Sequence, residues 1–215
     1  MRAVIIANGS ISDYTAISTL ILPEDKIIVA DGGAFHAAQL GVFPHVLIGD
    51  LDSLGEKVAL ELQKKGTVVI RYPKEKDKTD THLALEYAIS LGAQQIIMLG
   101  MLGGRLDHAL GNLLLPFHVA FKNLEIFIKD EEQDILPLVS NSQLVGKKGD
   151  VFSLIPLEEI KGLNIEGAKY PLKNADIAFG SSLTISNEFC GEKVFISWRE
   201  GSKILLVRIR NNKKE

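Results

Sequence analysis

A rhythm in the first 130 residues constrains this chain more than any other feature. Short, β-branched, nearly uninterrupted apolar runs recur at residues 4–7, 27–30, 46–48, 68–70, 96–99 and 126–128. Strands buried on both faces have this length and make-up. Between several of them the spacing turns helical. In residues 81–91, Leu83, Ala84, Tyr87, Ala88 and Leu91 fall on one helical face. Residues 54–65, through Leu54, Val58 and Leu62, and residues 106–120 read the same way. Alternation of this kind predicts a mostly parallel sheet flanked by helices.

Beyond about residue 133 the rhythm changes. Segments 136–139, 151–155, 163–166, 183–186, 194–198 and 204–209 are strand-like and separated by turns such as Gly146-Lys147-Lys148-Gly149-Asp150. No long helical pattern survives there, which predicts an antiparallel β-sandwich. The expected organisation is an α/β domain over 1–132 followed by a β-sandwich domain over 133–215.

Composition serves mainly to exclude. A net charge of −3 gives no basic footprint for nucleic acid, and the basic stretch 208–214 reads as a solvated tail. A single cysteine, Cys190, rules out an intrachain disulfide, and with no basic neighbour it reads as inert packing. No run is long enough to span a membrane, and the first apolar stretch is shorter than a signal-peptide core. A cytoplasmic protein is therefore expected.

The informative residues follow the apolar runs. Run 27–30 leads into Asp31-Gly32-Gly33, and run 46–48 into Gly49-Asp50-Leu51-Asp52-Ser53. Run 68–70 is followed by Lys76-Asp77-Lys78-Thr79-Asp80, and run 96–99 by Gly103-Gly104-Arg105-Leu106-Asp107-His108. Strand C-termini of a parallel sheet share one edge, where α/β folds bind ligands. Carboxylates crowded there repel one another, a strain relieved by protonation, by splaying into solvent or by a bound cation. Oxygen ligands without histidine or cysteine suit Mg²⁺ together with phosphate. Glycine lets backbone N–H groups approach a phosphate, and the Arg105 fork can clamp one. Each segment alone also has a structural reading. Asp52 or Ser53 could cap the helix from Leu54, Thr79 or Asp80 could cap the next, and Asp31-Gly32-Gly33 could be a plain turn.

Walker, dinucleotide-binding, protein-kinase and Gly-x-Ser-x-Gly motifs are missing. The histidines other than His108 read as structural or surface residues. Val194, Ile196 and Trp198 share one face by period two, which points Trp198 to the core.

Taken in order, these segments, with Gly180-Ser181-Ser182 and Ser186-Asn187-Glu188-Phe189, resemble the thiamine pyrophosphokinase family of bacterial type over nearly the whole chain. The resemblance implies ATP and Mg²⁺ on the acidic rim and a homodimer with active sites at the subunit interface. Asp31, Asp50, Asp52 and Asp80 match the family's metal-associated acids. Asp31, Ser53, Lys78, Thr79, Arg105, Asp107 and His108 fall at positions near the nucleotide. Ser186, Asn187, Phe189 and Lys76 fall on the thiamine side, with Phe189 placed to stack on the vitamin. Asp77, Asp80 and Arg105 would carry the chemistry, with Asp77 orienting or deprotonating the thiamine hydroxyl, although Asp77 could instead bind metal or order its loop. The implied reaction moves the pyrophosphoryl group of ATP to that hydroxyl and releases AMP. Two rivals use the same rim: a metal-dependent phosphohydrolase and a non-catalytic nucleotide sensor.

Overall fold

The computed structural model describes residues 1–52, 54–199 and 201–210, in two compact units, Met1–Glu131 and Glu132–Glu215. Residues 211–214 of the basic tail lie outside the described residues. No helix among the described residues is long and apolar enough to cross a membrane.

In the first unit, strands β1 (Arg2–Ile6), β2 (Lys26–Ala30), β3 (Val46–Gly49), β4 (Val68–Arg71), β5 (Gln95–Leu99) and β6 (Glu125–Lys129) pair in parallel in the order β6-β5-β1-β2-β3-β4. The chain builds outward from β1 to β4, then returns to β1's other side with β5. Such a reversal opens a crevice at the strand C-termini, between β1 and β5.

The apolar runs become strands because both faces of the sheet are covered. On one face, α1 (Tyr14–Ser18), α2 (Gly33–Gln39) and α3 (Glu56–Lys64) bring Ile17, Ala34, Ala37 and Ala59 onto Val4, Ile6, Val29, Leu47 and Leu99. Helix α4 (Asp80–Ser90) lies against β1, β2 and β3 on the other, burying Leu83, Ala84, Leu85 and Ala88. Strand β4 departs from the expected double burial: it is the sheet edge, and Val68 is 51% exposed.

Two helix boundaries also differ from expectation. Helix α3 begins at Glu56 rather than Leu54, after Gly55 at φ 82°, a backbone setting in which glycine alone carries no steric cost. Its N-cap position is Gly55, which has no side chain to cap it, so the cap is not Asp52. Helix α5 (Leu106–Leu114) stops short of residue 120 because Pro116 cannot donate to a continuing helix, and two 3₁₀ turns, Leu115–Phe117 and Val119–Phe121, follow. The short helices α1 and α2 were not legible from spacing.

The second unit contains two antiparallel sheets. One has the order β12 (Asn187–Glu188), β9 (Val151–Pro156), β14 (Ile204–Ile209), β7 (Gln133–Leu138). The other has the order β11 (Leu172–Ile177), β10 (Ile160–Glu166), β13 (Lys193–Ser197), β8 (Ser142–Val145). Phe152, Leu154, Ile204 and Leu206 from the first meet Leu163, Ile165, Val194 and Ile196 from the second in one core. Trp198 joins that core and donates its indole N–H to Ser202 O at 3.1 Å.

Segment 183–186, expected as a strand, is a turn. Leu183 and Ile185 point outward, and only Thr184 is buried, donating its hydroxyl to Leu154 O at 2.6 Å. The lone cysteine is a second correction, since Cys190 is exposed rather than packed.

Close approach of α2 to β1 depends on Gly33, where a β-carbon would come within 2.2 Å of Ile6 O. Gly33→Ala should therefore lower stability by about 1–3 kcal/mol, read as a lower denaturant midpoint. An unchanged midpoint would show that the helix can yield at this point.

Candidate active site

A cleft of about 1010 Å³ opens in the first unit, at the C-terminal ends of its strands. Asn8 and Gly9 line it after β1, Asp31 after β2, Asp50 after β3, and Gly100 and Met101 after β5. The segment between β4 and α4 contributes Lys74, Lys76, Asp77, Lys78 and Thr79, and α4 itself Asp80 and His82. The start of α5 and the loop before it add Gly103, Gly104, Arg105, Asp107 and His108.

Local geometry explains how each acid reaches the cleft. Asp31 sits at φ 43°, a left-handed setting that a non-glycine residue holds at some cost, and its N–H donates to Ile48 O at 2.8 Å. The turn carries the carboxylate off the end of β2, and Asp31 Oδ1 is buried with no hydrogen-bond partner. Thr79 caps α4, its hydroxyl oxygen accepting from His82 N at 3.2 Å, which puts Asp80 in the first turn. Of the two capping readings for this helix, Thr79 holds the role.

The acids are mutually aware. Burial, aided by the charges of Asp31 and Asp50, pushes the Asp80 carboxyl above its usual range, while Lys76 pulls it down. Lys76 Nζ lies 3.1 Å from Asp80 Oδ1 and 4.0 Å from Asp50 Oδ2. Lys76 is thus set among the acids of the cleft.

Asp52 stands apart and is not on the cleft lining. Asp50 Oδ1 accepts from Asp52 N at 3.0 Å, and Leu51, at φ 63° and buried, reverses the chain. The turn directs Asp52 outward to Lys74 Nζ at 2.9 Å. Ser53 lies outside the described residues.

Arg105 is exposed at the cleft mouth. Its Nε and Nη2 donate to the two Asp107 oxygens at 3.1 and 2.5 Å, and this fork holds the Asp107 carboxyl down at about 2. Asp107 Oδ1 also accepts from His108 N at 3.0 Å. Lys78 pairs with Glu86 at 2.7 Å, and Asp77 is exposed on the lining.

Among the described residues, no group of three or more His, Cys, Asp and Glu forms a ready-made metal cage. Mg²⁺ does not ask for one, since it is held by one or two carboxylates, waters and substrate phosphates. The unsatisfied Asp31 oxygen and the strained charge of Asp80 fit such an ion.

In the second unit Ser186, Asn187 and Phe189 have separate fates. Ser186 is exposed at φ 57°, its N–H donating to Ser153 Oγ at 2.9 Å. Asn187 is buried, accepting from Tyr170 N and Glu188 N and donating to Tyr170 O, so its side chain is spent on the backbone. Phe189 is only 2% exposed, edge-on to Phe152 at 5.4 Å with Arg208 over its ring. The Phe189 ring, expected to stack on the vitamin, is instead packed in the sandwich core.

Asn8 and Gly9 also line the cleft, although nothing in the spacing singled them out. A glycine within two residues of the end of the first apolar run was the available signal, as at Asp31-Gly32 and Gly49-Asp50.

Residues 17–128 match the family model described as thiamin pyrophosphokinase, catalytic domain, and residues 129–202 match thiamin pyrophosphokinase, vitamin B1 binding domain. The chain is 32% identical over 199 residues to thiamine pyrophosphokinase of Bacillus subtilis, covering 91% of this chain and 90% of that protein. The crystal structure of the Bacillus subtilis enzyme superposes with a TM-score of 0.84 at 28% identity, covering 98% of this chain and 100% of that one. A thiamin pyrophosphokinase family protein from Enterococcus faecalis superposes equally well, with a TM-score of 0.84 at 25% identity over 99% and 100% of the two chains. On these likenesses, and with its strand-end acids gathered in one cleft, the chain belongs to the thiamine pyrophosphokinase family.

Proposed function

We propose that this protein transfers the pyrophosphoryl group of ATP to the hydroxyl of thiamine, giving thiamine pyrophosphate and AMP, with the first unit holding ATP and Mg²⁺ and the second contributing to thiamine binding. The observation that carries this reading is the convergence of Asp31, Asp50 and Asp80 on one cleft at the strand C-termini, within a chain matched along most of its length by the two family models.

Asp31, Asp50 and Asp80 would hold Mg²⁺, and Asp52 joins them by exchanging its solvent-exposed pairing with Lys74, a contact of little strength. When bound, the ion neutralises charge on the phosphate oxygens. The chain's own groups do the positioning on which such transfers depend. Arg105 presents a planar fork suited to a phosphate, and Asp107 holds that fork in plane from behind. Lys78, on a flexible stem, can leave Glu86 for the nucleotide, while Thr79 keeps α4 in register beneath it and His108 borders the same mouth. Asp77 is exposed and free to accept the hydroxyl proton of thiamine. In the second unit the contact surface is the exposed, left-handed Ser186 turn rather than the buried Phe189.

A homodimer with active sites at the subunit interface completes the reading. Helix α5 supports it: no residue of the helix is buried, and Leu106, Leu110 and Leu114, four apart, are 73%, 48% and 49% exposed. An apolar stripe of this kind next to the cleft calls for a cover.

Three outcomes test the reading. With ATP and Mg²⁺, AMP should appear only when thiamine is present and in equal amount with thiamine pyrophosphate; phosphate release without thiamine would favour the hydrolase. Asp50→Asn should cut turnover by at least about 100-fold, the scale of losing one preorganised electrostatic group, with circular dichroism unchanged. Wild-type turnover in that variant would refute the role of the rim. Leu110→Glu should convert a dimer to a monomer in light scattering, and an unaltered dimer would place the interface elsewhere.

A further inference from the structure

Three lysines alternate along the segment that joins β4 to α4, and each holds a carboxylate. Lys74 holds Asp52 and Lys78 holds Glu86, with side chains 78% and 43% exposed, as solvated surface pairs do. Lys76 differs. Its side chain is 13% exposed, and its ammonium lies between Asp80 at 3.1 Å and Asp50 at 4.0 Å, whose side chains are 23% and 19% exposed. Asp31, unpaired at Oδ1, lines the same cleft. Drawing an ammonium out of water is costly unless carboxylates compensate it, and three carboxylates with no cation among them would repel. The ammonium and the acids therefore stabilise one another.

We propose that Lys76 is a built-in counter-ion, occupying the cation position of the cleft in the nucleotide-free protein and leaving it when a divalent ion binds. The inference rests on the proposed metal role of the rim acids. A single positive charge offsets the three carboxylates only in part, so a divalent ion arriving with its nucleotide wins the position. The four-carbon stem of Lys76 then lets the released ammonium turn toward the incoming phosphates without moving the backbone. Metal binding alone must displace Lys76 with no phosphate to receive it. Metal and nucleotide consequently favour each other's binding, and by linkage the effect is mutual. The empty cleft is also kept from filling with metal when no nucleotide is present.

The test is titration of Mn²⁺ into the nucleotide-free, full-length protein, followed by electron paramagnetic resonance of free Mn²⁺. Lys76→Met should bind Mn²⁺ at least about tenfold more tightly than the wild type, while Lys76→Arg, which keeps the charge, should not. Without metal, Lys76→Met should melt below the wild type, and Mn²⁺ should raise its melting temperature by more than it raises that of the wild type. If Lys76→Met does not fold without metal, Lys76→Gln takes its place under the same criteria. Equal or weaker Mn²⁺ affinity in the neutral variant would overturn the counter-ion role. Asp50→Asn separates the two levels: if it leaves Mn²⁺ affinity intact, the rim is not the metal site and both ideas fall. If it abolishes binding while Lys76→Met changes nothing, only the counter-ion fails.

Discussion

Like charges forced together at the edge of a parallel sheet are the constraint around which the first unit is organised. Asp31 and Asp50 follow β2 and β3, and Asp80 opens the helix above them, so the topology itself brings the three into one cleft. Left alone, such a group would relax by taking up protons or splaying into water. Instead, Asp31 is fixed by a left-handed backbone, Asp50 by its own loop and Asp80 by a capped helix. The repulsion is retained as an attraction for cations, which Lys76 meets within the chain.

The rest of the first unit serves that placement. The reversal of strand order at β1 opens the crevice, and the glycines beside it let backbone come close where a side chain would collide. A β-carbon on Gly9 would meet Leu102 O at 2.3 Å, and one on Gly100 would meet Ala7 O at 2.5 Å. These contacts join the loops after β1 and β5, with Gly9 N donating to Gly100 O at 2.7 Å. The loops after β1 and β5 are thereby drawn together at the head of the crevice.

Much of this was legible in the sequence because burial leaves a periodic trace. Strands covered on both faces read as continuous apolar runs, and the polar residues after each run then had to lie on one edge. What the trace does not carry is the local turn. Nothing in Asp50-Leu51-Asp52 announces that Leu51 is left-handed and that Asp52 faces Lys74. In the second unit, strands with one wet face hold fewer apolar residues, so β8 and β11, with Leu144 and Ile177 as their buried members, went unread. An aromatic beside polar residues reads equally as a ligand platform or as core. Phe189 proves to be core because β12 brings it against Phe152.

The account rests on one ion gripped by acids that lie far apart in the chain. Crystals grown with Mn²⁺ and a non-hydrolysable ATP analogue address it directly through the anomalous signal of the metal. The account predicts a peak shared by Asp31, Asp50 and Asp80 and by the phosphates of the analogue. A nucleotide bound with its metal away from these three carboxylates would contradict it.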